Sequence, residues 1–310
     1  MATRTITENV NQAVQDFDNI KQSIIDKGIE VPNGTPTSEY ADKIGTIKIN
    51  GLDTSTITDF KYFGQNDRFG TGEILTGLDT SSGTNFESMF YNCTRLTTIP
   101  QLDTSNGTNF YNMFSGCTRL TTIQQLDTSN GTNFYGMFSG CSRLTTIPQL
   151  DTSNGTNFYG MFSGCTRLTT IQQLDTSSGT NFSSMFNGCI SLTTIPQLNT
   201  SNGTSFYGMF SNCKSLTTVE LTSFISSNGM FYYCLALENL TVTGTITVNN
   251  NDLSLSDSPK LTVESLMSVI NALADNTGKT TYTVTLGATN LAKLTDEQKQ
   301  IAIDKNYTLA

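Results

Sequence analysis

Residues 102–125 read LDTSNGTNFYNMFSGCTRLTTIQQ, and residues 126–149 read LDTSNGTNFYGMFSGCSRLTTIPQ. Two consecutive 24-residue stretches that differ at only three positions are a structural repeat, and the period decides the architecture. Working outward, Leu78, Leu102, Leu126, Leu150, Leu174 and Leu198 follow one another at steps of 24, and so do the cysteines from Cys93 to Cys213. A degenerate unit, Leu52 to Gly77, opens the array, and a shortened unit closes it, with Cys234 only 21 residues after Cys213. A second period of 48 lies on top, because Pro100, Pro148 and Pro196 alternate with Gln124 and Gln172 in one slot.

Within a unit, Phe110, Met113, Phe114, Cys117 and Leu120 stand at offsets 0, 3, 4, 7 and 10, the apolar stripe of a short helix facing inward. Leu120-Thr-Thr-Ile123 then offers β-branched residues for a short strand that pairs from coil to coil. Proline cannot donate to a ladder, so the paired strand is expected to stop at Ile99, Ile147 and Ile195. Asn-Gly at 106, 130, 154 and 202, preceded by Asp-Thr-Ser or Asn-Thr-Ser, is turn chemistry and marks a corner of each coil. The fold expected is an α/β repeat solenoid of about seven coils, roughly 35 Å long at a strand spacing of ~4.8 Å.

The flanks differ from the array and divide the chain into residues 1–50, 51–248 and 249–310. Ile6, Val10, Ala13, Phe17, Ile20 and Ile24 form a heptad seam, read either as an oligomerising coiled coil or as an amphipathic helix folding back on Tyr40, Ile44 and Ile47. Towards the other end, Thr262 to Leu273 reads as a helix and Thr280 to Leu286 as a strand. Thr295-Asp-Glu-Gln298 reads as a capping box opening a second helix, and the segment is expected to be an α/β cap on the solenoid.

Composition removes whole classes of function. The 310 residues include no His and no Trp, which excludes a His general base, a Ser-His or Cys-His pair and any His-ligated metal. A net charge of -9 leaves no basic surface for nucleic acid. The first twenty residues carry no apolar signal core, and no run of residues is long and apolar enough for membrane insertion, so a soluble product of the cytosol is expected. Seven cysteines, one per repeat and without a CxxC pair, read as core filler, with no disulfide, metal or cofactor expected.

With FYGMFSGCTRLTTI quoted, the repeat resembles that of BspA-like leucine-rich-repeat surface proteins over about two thirds of the chain. The flanks IKQSIIDKGIEVPNGTPTSEYADKIGTI and LTVESLMSVINALADNTGKTTYTVTLGATNLAKLTDEQKQIAIDKNYTLA are similar to segments of bacteriophage tail and minor structural proteins. Together these resemblances imply a leucine-rich-repeat-like solenoid in a non-enzymatic virion component, a tail fibre or baseplate protein assembled in the host cytoplasm. Its partners would be other virion proteins and a host cell-surface glycan or protein, and it would be a homo-oligomer, first of all a trimer. The alternatives are a purely structural decoration protein and a bacterial surface adhesin.

Two sets of array residues are candidates for function. Tyr111, Tyr135, Tyr159 and Tyr207 share one slot, as a ridge that grips a receptor or as a structural ladder between coils. Arg95, Arg119, Arg143 and Arg167 each precede Asp103, Asp127, Asp151 or Asp175 by eight residues, and both charges vanish together at Ser191 and Asn199. The expectation is a pair of charge-compensating ladders, first of all as a solvated, charge-balanced face worth little per pair, with calcium on the Asp row and paired-carboxylate glycan hydrolysis as weaker readings.

Overall fold

A computed structural model describes residues 54–66, 78–250 and 252–310. The heptad residues Ile6 to Ile24 lie outside them.

Each coil buries the residues that the 24-residue period singles out. Phe110, Met113, Phe114, Cys117 and Leu120 have no exposed surface, and the same slots are buried in each coil from Phe86 to Leu216. Two columns of phenylalanine run through the array. Phe110 stacks on Phe134 at 5.7 Å and 5°, and Phe114 stacks on Phe138 at 5.7 Å and 2°. Burial of each such ring stabilises the fold by about 1.5–3 kcal/mol.

The stripe is not helical. The backbone makes two successive turns, Phe110–Met113 and Phe114–Cys117, closed by Met113 N–H to Phe110 O (3.2 Å) and Cys117 N–H to Phe114 O (3.1 Å). The third residue of each turn is left-handed, with φ of 51° at Asn112 and 78° at Gly116, and 57° and 72° at Gly136 and Gly140 one coil on. A turn with a left-handed third residue favours glycine or asparagine there. The alternate N–H groups leave the coil. Phe110 donates to Asn133 O (2.9 Å), Asn112 to Tyr135 O (2.7 Å), Phe114 to Met137 O (2.8 Å) and Gly116 to Ser139 O (2.7 Å). A helix would keep these donors within its own turn. Offsets 0, 3, 4 and 7 suit a helix and a pair of four-residue turns equally, and the glycines spaced by four decide for turns.

The expected Leu-Thr-Thr-Ile strand also gives way in the central coils. There a thin threonine ladder joins the coils: Thr121 N–H reaches Thr97 O at 3.5 Å and Thr193 N–H reaches Thr169 O at 3.2 Å. A glutamine side chain supplements it, with Gln101 Nε2 donating to Gln125 O (2.8 Å), Gln125 to Gln149 O (2.6 Å) and Gln149 to Gln173 O (2.7 Å). Among the described residues of the array, strands form at its end. β1 (Thr218–Leu221) pairs in parallel with β3 (Asn239–Val242), and β2 (Phe224–Ile225) with β4 (Ile246–Thr247). β1 reads TVEL, which alternates outward and inward cleanly and contains no proline.

The corner is an Asx-turn. Asp103 Oδ1 accepts from Ser105 N–H (3.0 Å) and Ser105 Oγ (2.6 Å), and Gly107 N–H closes on Thr104 O (2.8 Å). A Cβ on Gly107 would stand 2.7 Å from the Phe110 ring, so the corner has no room for a side chain. Thr104 is buried, and its hydroxyl donates to Asp127 O at 2.7 Å.

Beyond the array, α1 (Val263–Ala272) starts at Thr262, whose side chain accepts from Ser265 N–H, and packs along β3. Ser265 Oγ accepts from Leu240 N–H and Ser268 Oγ from Val242 N–H, both at 2.9 Å, so helix side chains occupy donors that an edge strand would leave open. β5 (Tyr282–Val284), α2 (Ala288–Leu291), α3 (Asp296–Asp304) and β6 (Tyr307–Leu309) complete the chain, β5 pairing in parallel with β6. Thr295 and Gln298 form the capping box of α3. Lys305 Nζ donates to Asn271 O (2.7 Å) and Leu273 O (2.8 Å), placing a cation on the closing carbonyls of α1.

Candidate binding surface

The tyrosine slot lies on the outer side of the first turn, beside the buried phenylalanine. Tyr111 and Tyr135 stack at 4.6 Å and 17°, and Tyr135 and Tyr159 at 4.5 Å and 10°. The three rings are half-buried. Desolvation first, and the neighbouring phenols next, push the Tyr135 hydroxyl above its ordinary pKa. The inner faces of this row are therefore spent on one another, as the ladder reading requires.

Tyr207 is different. The intervening coil carries Ser183, which is buried with its hydroxyl 2.6 Å from that of Ser205. The following coil carries Asn228, whose carbonyl accepts from Gly208. Tyr207 has no ring partner among the described residues and is 60% exposed, the largest value among the exposed large apolar side chains of the array. Ile190, Tyr232, Tyr233 and Leu235 are also exposed in the last coils, and Tyr62 and Tyr91 in the first two described. Tyr233 sits at φ 55° in a slot that glycine or asparagine holds in the six preceding coils. A bulky residue in the left-handed region costs on the order of 1 kcal/mol, and no repeat signal announces it.

The two charged rows do not meet. Arg119, Arg143 and Arg167 are exposed, and none forms an ion pair with Asp127, Asp151 or Asp175. Arg95 and Asp103 stand exposed in the same two rows. The expected compensation between rows is replaced by a local one. The Ser129 hydroxyl and then its N–H hold the Asp127 carboxyl below the usual range, and Ser177 does the same for Asp175. Hydrogen bonding to the charged form, rather than an opposite charge, favours the ionised state of these two carboxylates.

The cysteine row is closed to chemistry. Each thiol donates to a backbone carbonyl of the preceding coil, Cys117 Sγ to Phe90 O and Cys141 Sγ to Phe114 O, both at 3.1 Å. Burial pushes the Cys165 and Cys234 thiols up to about 12, which keeps them protonated. Among the described residues no group of three or more Cys, Asp or Glu is placed to hold a metal ion, and no helix is long and apolar enough to cross a membrane.

The glutamine rungs escaped the sequence reading, as did an asparagine ladder in which Asn109 Nδ2 donates to Asn85 Oδ1 (3.1 Å) and Asn133 Nδ2 to Asn109 Oδ1 (3.2 Å). The signal was available. Gln stays constant at 101, 125, 149 and 173 beside a slot that alternates between proline and glutamine, and a constant polar residue beside a variable one points to a fixed partner.

Comparison with known proteins places the array. A solved structure of a leucine-rich-repeat protein from T. pallidum is 19% identical, covers 59% of this chain and 72% of that chain, and superposes with a TM-score of 0.34. Curated proteins give no match. The family described as "Mycoplasma protein of unknown function, DUF285" matches residues 38–146 and again 142–242, which together are more than half of the chain. The protein thus belongs to the DUF285 family.

Proposed function

We propose that the protein is a non-enzymatic contact module of a bacteriophage virion, a tail fibre or baseplate component that binds a host cell-surface glycan or protein through its repeat surface. The observation that carries this reading is the outer face of the array. Uncharged polar side chains and aromatic rings recur there in register from coil to coil, and aromatic exposure is greatest at Tyr207, at 60%. Weak contacts repeated along coils, and again by copies in a particle, raise avidity without a deep pocket. In this reading the row of Tyr111, Tyr135, Tyr159 and Tyr207 is the aromatic contact edge and residues 249–310 close the solenoid. Residues 1–50 attach the module or oligomerise it, as a trimer first, through Ile6, Val10, Ala13, Phe17, Ile20 and Ile24. The virion assignment rests on the resemblance of both flanks to phage tail segments.

Deleting residues 78–221 tests it. Particles that assemble but no longer adsorb support receptor binding, and particles that adsorb normally leave only a decoration role. The mycoplasmal description of the family favours a second reading, a bacterial surface adhesin. Mass spectrometry of purified particles against washed cells separates the two by where the protein is found.

A further inference from the structure

Residues 104–126, 128–150 and 152–174 each contain a single charged side chain, Arg119, Arg143 or Arg167. All three are exposed, and none forms an ion pair. The acids eight residues on are occupied locally: Asp127, Asp151 and Asp175 accept from the hydroxyls of Ser129, Ser153 and Ser177 at 2.6–2.7 Å. A chain of net charge -9 thus carries, in these three coils, one row whose charge is wholly positive.

The step of this row is fixed from both sides. Just before the arginines, Thr166 Oγ1 donates to Ser142 O (3.1 Å) and Ser142 Oγ to Thr118 O (3.4 Å). Just after them, Thr169 N–H reaches Thr145 O at 3.5 Å. The arginine stems therefore leave the backbone one coil step apart, about 4.8 Å for hydrogen-bonded neighbouring chains. Like charges held at that step repel one another unless an anion lies along them. Hydroxyls stand beside each cation. Leu120, Leu144 and Leu168 are buried, so Thr121, Thr145 and Thr169 emerge, exposed, on the arginine side.

We propose that this row binds a linear acidic polysaccharide lying along the array, with a carboxylate on each sugar set against one arginine per coil. An extended pyranose chain advances by roughly one coil step per sugar, so the two charge patterns stay in register. Each guanidinium takes a carboxylate through two parallel N–H donors, and the threonine hydroxyls meet sugar hydroxyls. Nucleic acid fits less well. Single strands are gripped by aromatic platforms between the cations, whereas the slots around these arginines hold Thr, Ser and buried Leu. The row stops at Ser191, which confines the site to the coils before it. The proposal names the chemistry of the glycan in the receptor reading and takes its biological setting from that reading.

Titration calorimetry on the full chain tests it, with an oligogalacturonide long enough to cross the array as the probe. Its methyl ester, which keeps the sugars and removes the charge, and an oligothymidylate of equal charge are the controls. The wild type is expected to bind the oligogalacturonide, to ignore the ester, and to lose affinity steadily as salt rises. Arg119→Gln, Arg143→Gln and Arg167→Gln together should weaken binding about tenfold and flatten the salt dependence. The three side chains are exposed and unpaired, so the variant keeps its fold, and the salt series on the wild type needs no variant. No binding, equal affinity in wild type and variant, affinity independent of salt, equal binding of the ester, or tighter binding of oligothymidylate overturns the proposal. If it fails while deletion of residues 78–221 still abolishes adsorption, the receptor reading stands with a different ligand. If particles without residues 78–221 adsorb normally, the receptor reading falls, and the calorimetry still decides the ligand.

Discussion

The central coils and the last coil solve one problem in two ways. Between residues 102 and 195 the units are nearly identical, yet they form no extended strand. They are held by turn closures, by alternate N–H groups sent to the next coil, and by ladders of Gln, Asn, Thr and Cys side chains. Between residues 218 and 242 the repeat has decayed, and there the backbone pairs directly as β1 and β3. Regular sequence and regular secondary structure are therefore inversely placed. Identical side chains every 24 residues can hydrogen-bond to their own images, which relieves the backbone of that task. Once the images are lost, alternating apolar and polar residues must restore a ladder of main-chain bonds.

This contrast can be broken at its core. Phe134→Ala removes a fully buried ring that stacks on both sides, and should lower unfolding free energy by about 3–5 kcal/mol in denaturant titration. The corner glycines come next. Gly131→Ala brings a Cβ to 2.6 Å from the Phe134 ring and 2.9 Å from Thr128 O, and should cost about 1–3 kcal/mol as overpacking, read as a fall in Tm. Beyond the array no such packing exists, and Gly278→Ala, where nothing lies within 4 Å, is expected to cost only the left-handed backbone, about 1 kcal/mol.

The ladders can then be tested rung by rung. Gln125→Ala removes one side-chain bond to the next coil and should destabilise by about 0.5–1.5 kcal/mol, whereas Pro148→Gln, which reproduces the residue at 124 and 172, should be close to neutral. The smallest effects belong to charge. The folded pKa of Asp127 and Asp175 lies below the unfolded value. Their serine bonds therefore contribute stability above the ordinary carboxylate range and lose it as pH falls through the folded value. Changing both to Asn, the residue already present at 199, should flatten the acid limb of a Tm-against-pH curve and leave neutral pH almost unchanged. Replacing Arg119, Arg143 and Arg167 by Gln should shift Tm least of all, because these exposed side chains form no ion pair with the Asp row.

The candidate surface was legible in part. The Tyr slot, its interruption at Ser183 and the turn at Asp103 follow from residues alone. That Arg and Asp vanish together at 191 and 199 suggested two mutually compensating rows on a solvated face; Arg119, Arg143 and Arg167 stand exposed without pairing, and joint loss in one unit fits drift of that unit as well as it fits contact. The strained Tyr233 was invisible, since its conformation is inherited from glycine and asparagine in the coils before it.

What the amino-acid sequence determined by itself is the period, the apolar Phe, Met, Phe, Cys and Leu slots of each unit and the exclusion of histidine chemistry. These depend only on which side chains recur and which avoid water. What the tertiary structure alone decided is where the backbone donors go. A stripe at offsets 0, 3, 4 and 7 buries the same side chains as a helix or as two turns. The choice is made by a carbonyl 23 residues away, in the neighbouring coil, that each alternate N–H can reach. The same holds for the tyrosines. Their spacing is written in the chain, but whether a ring finds a partner depends on what the next coil presents at 4.5 Å.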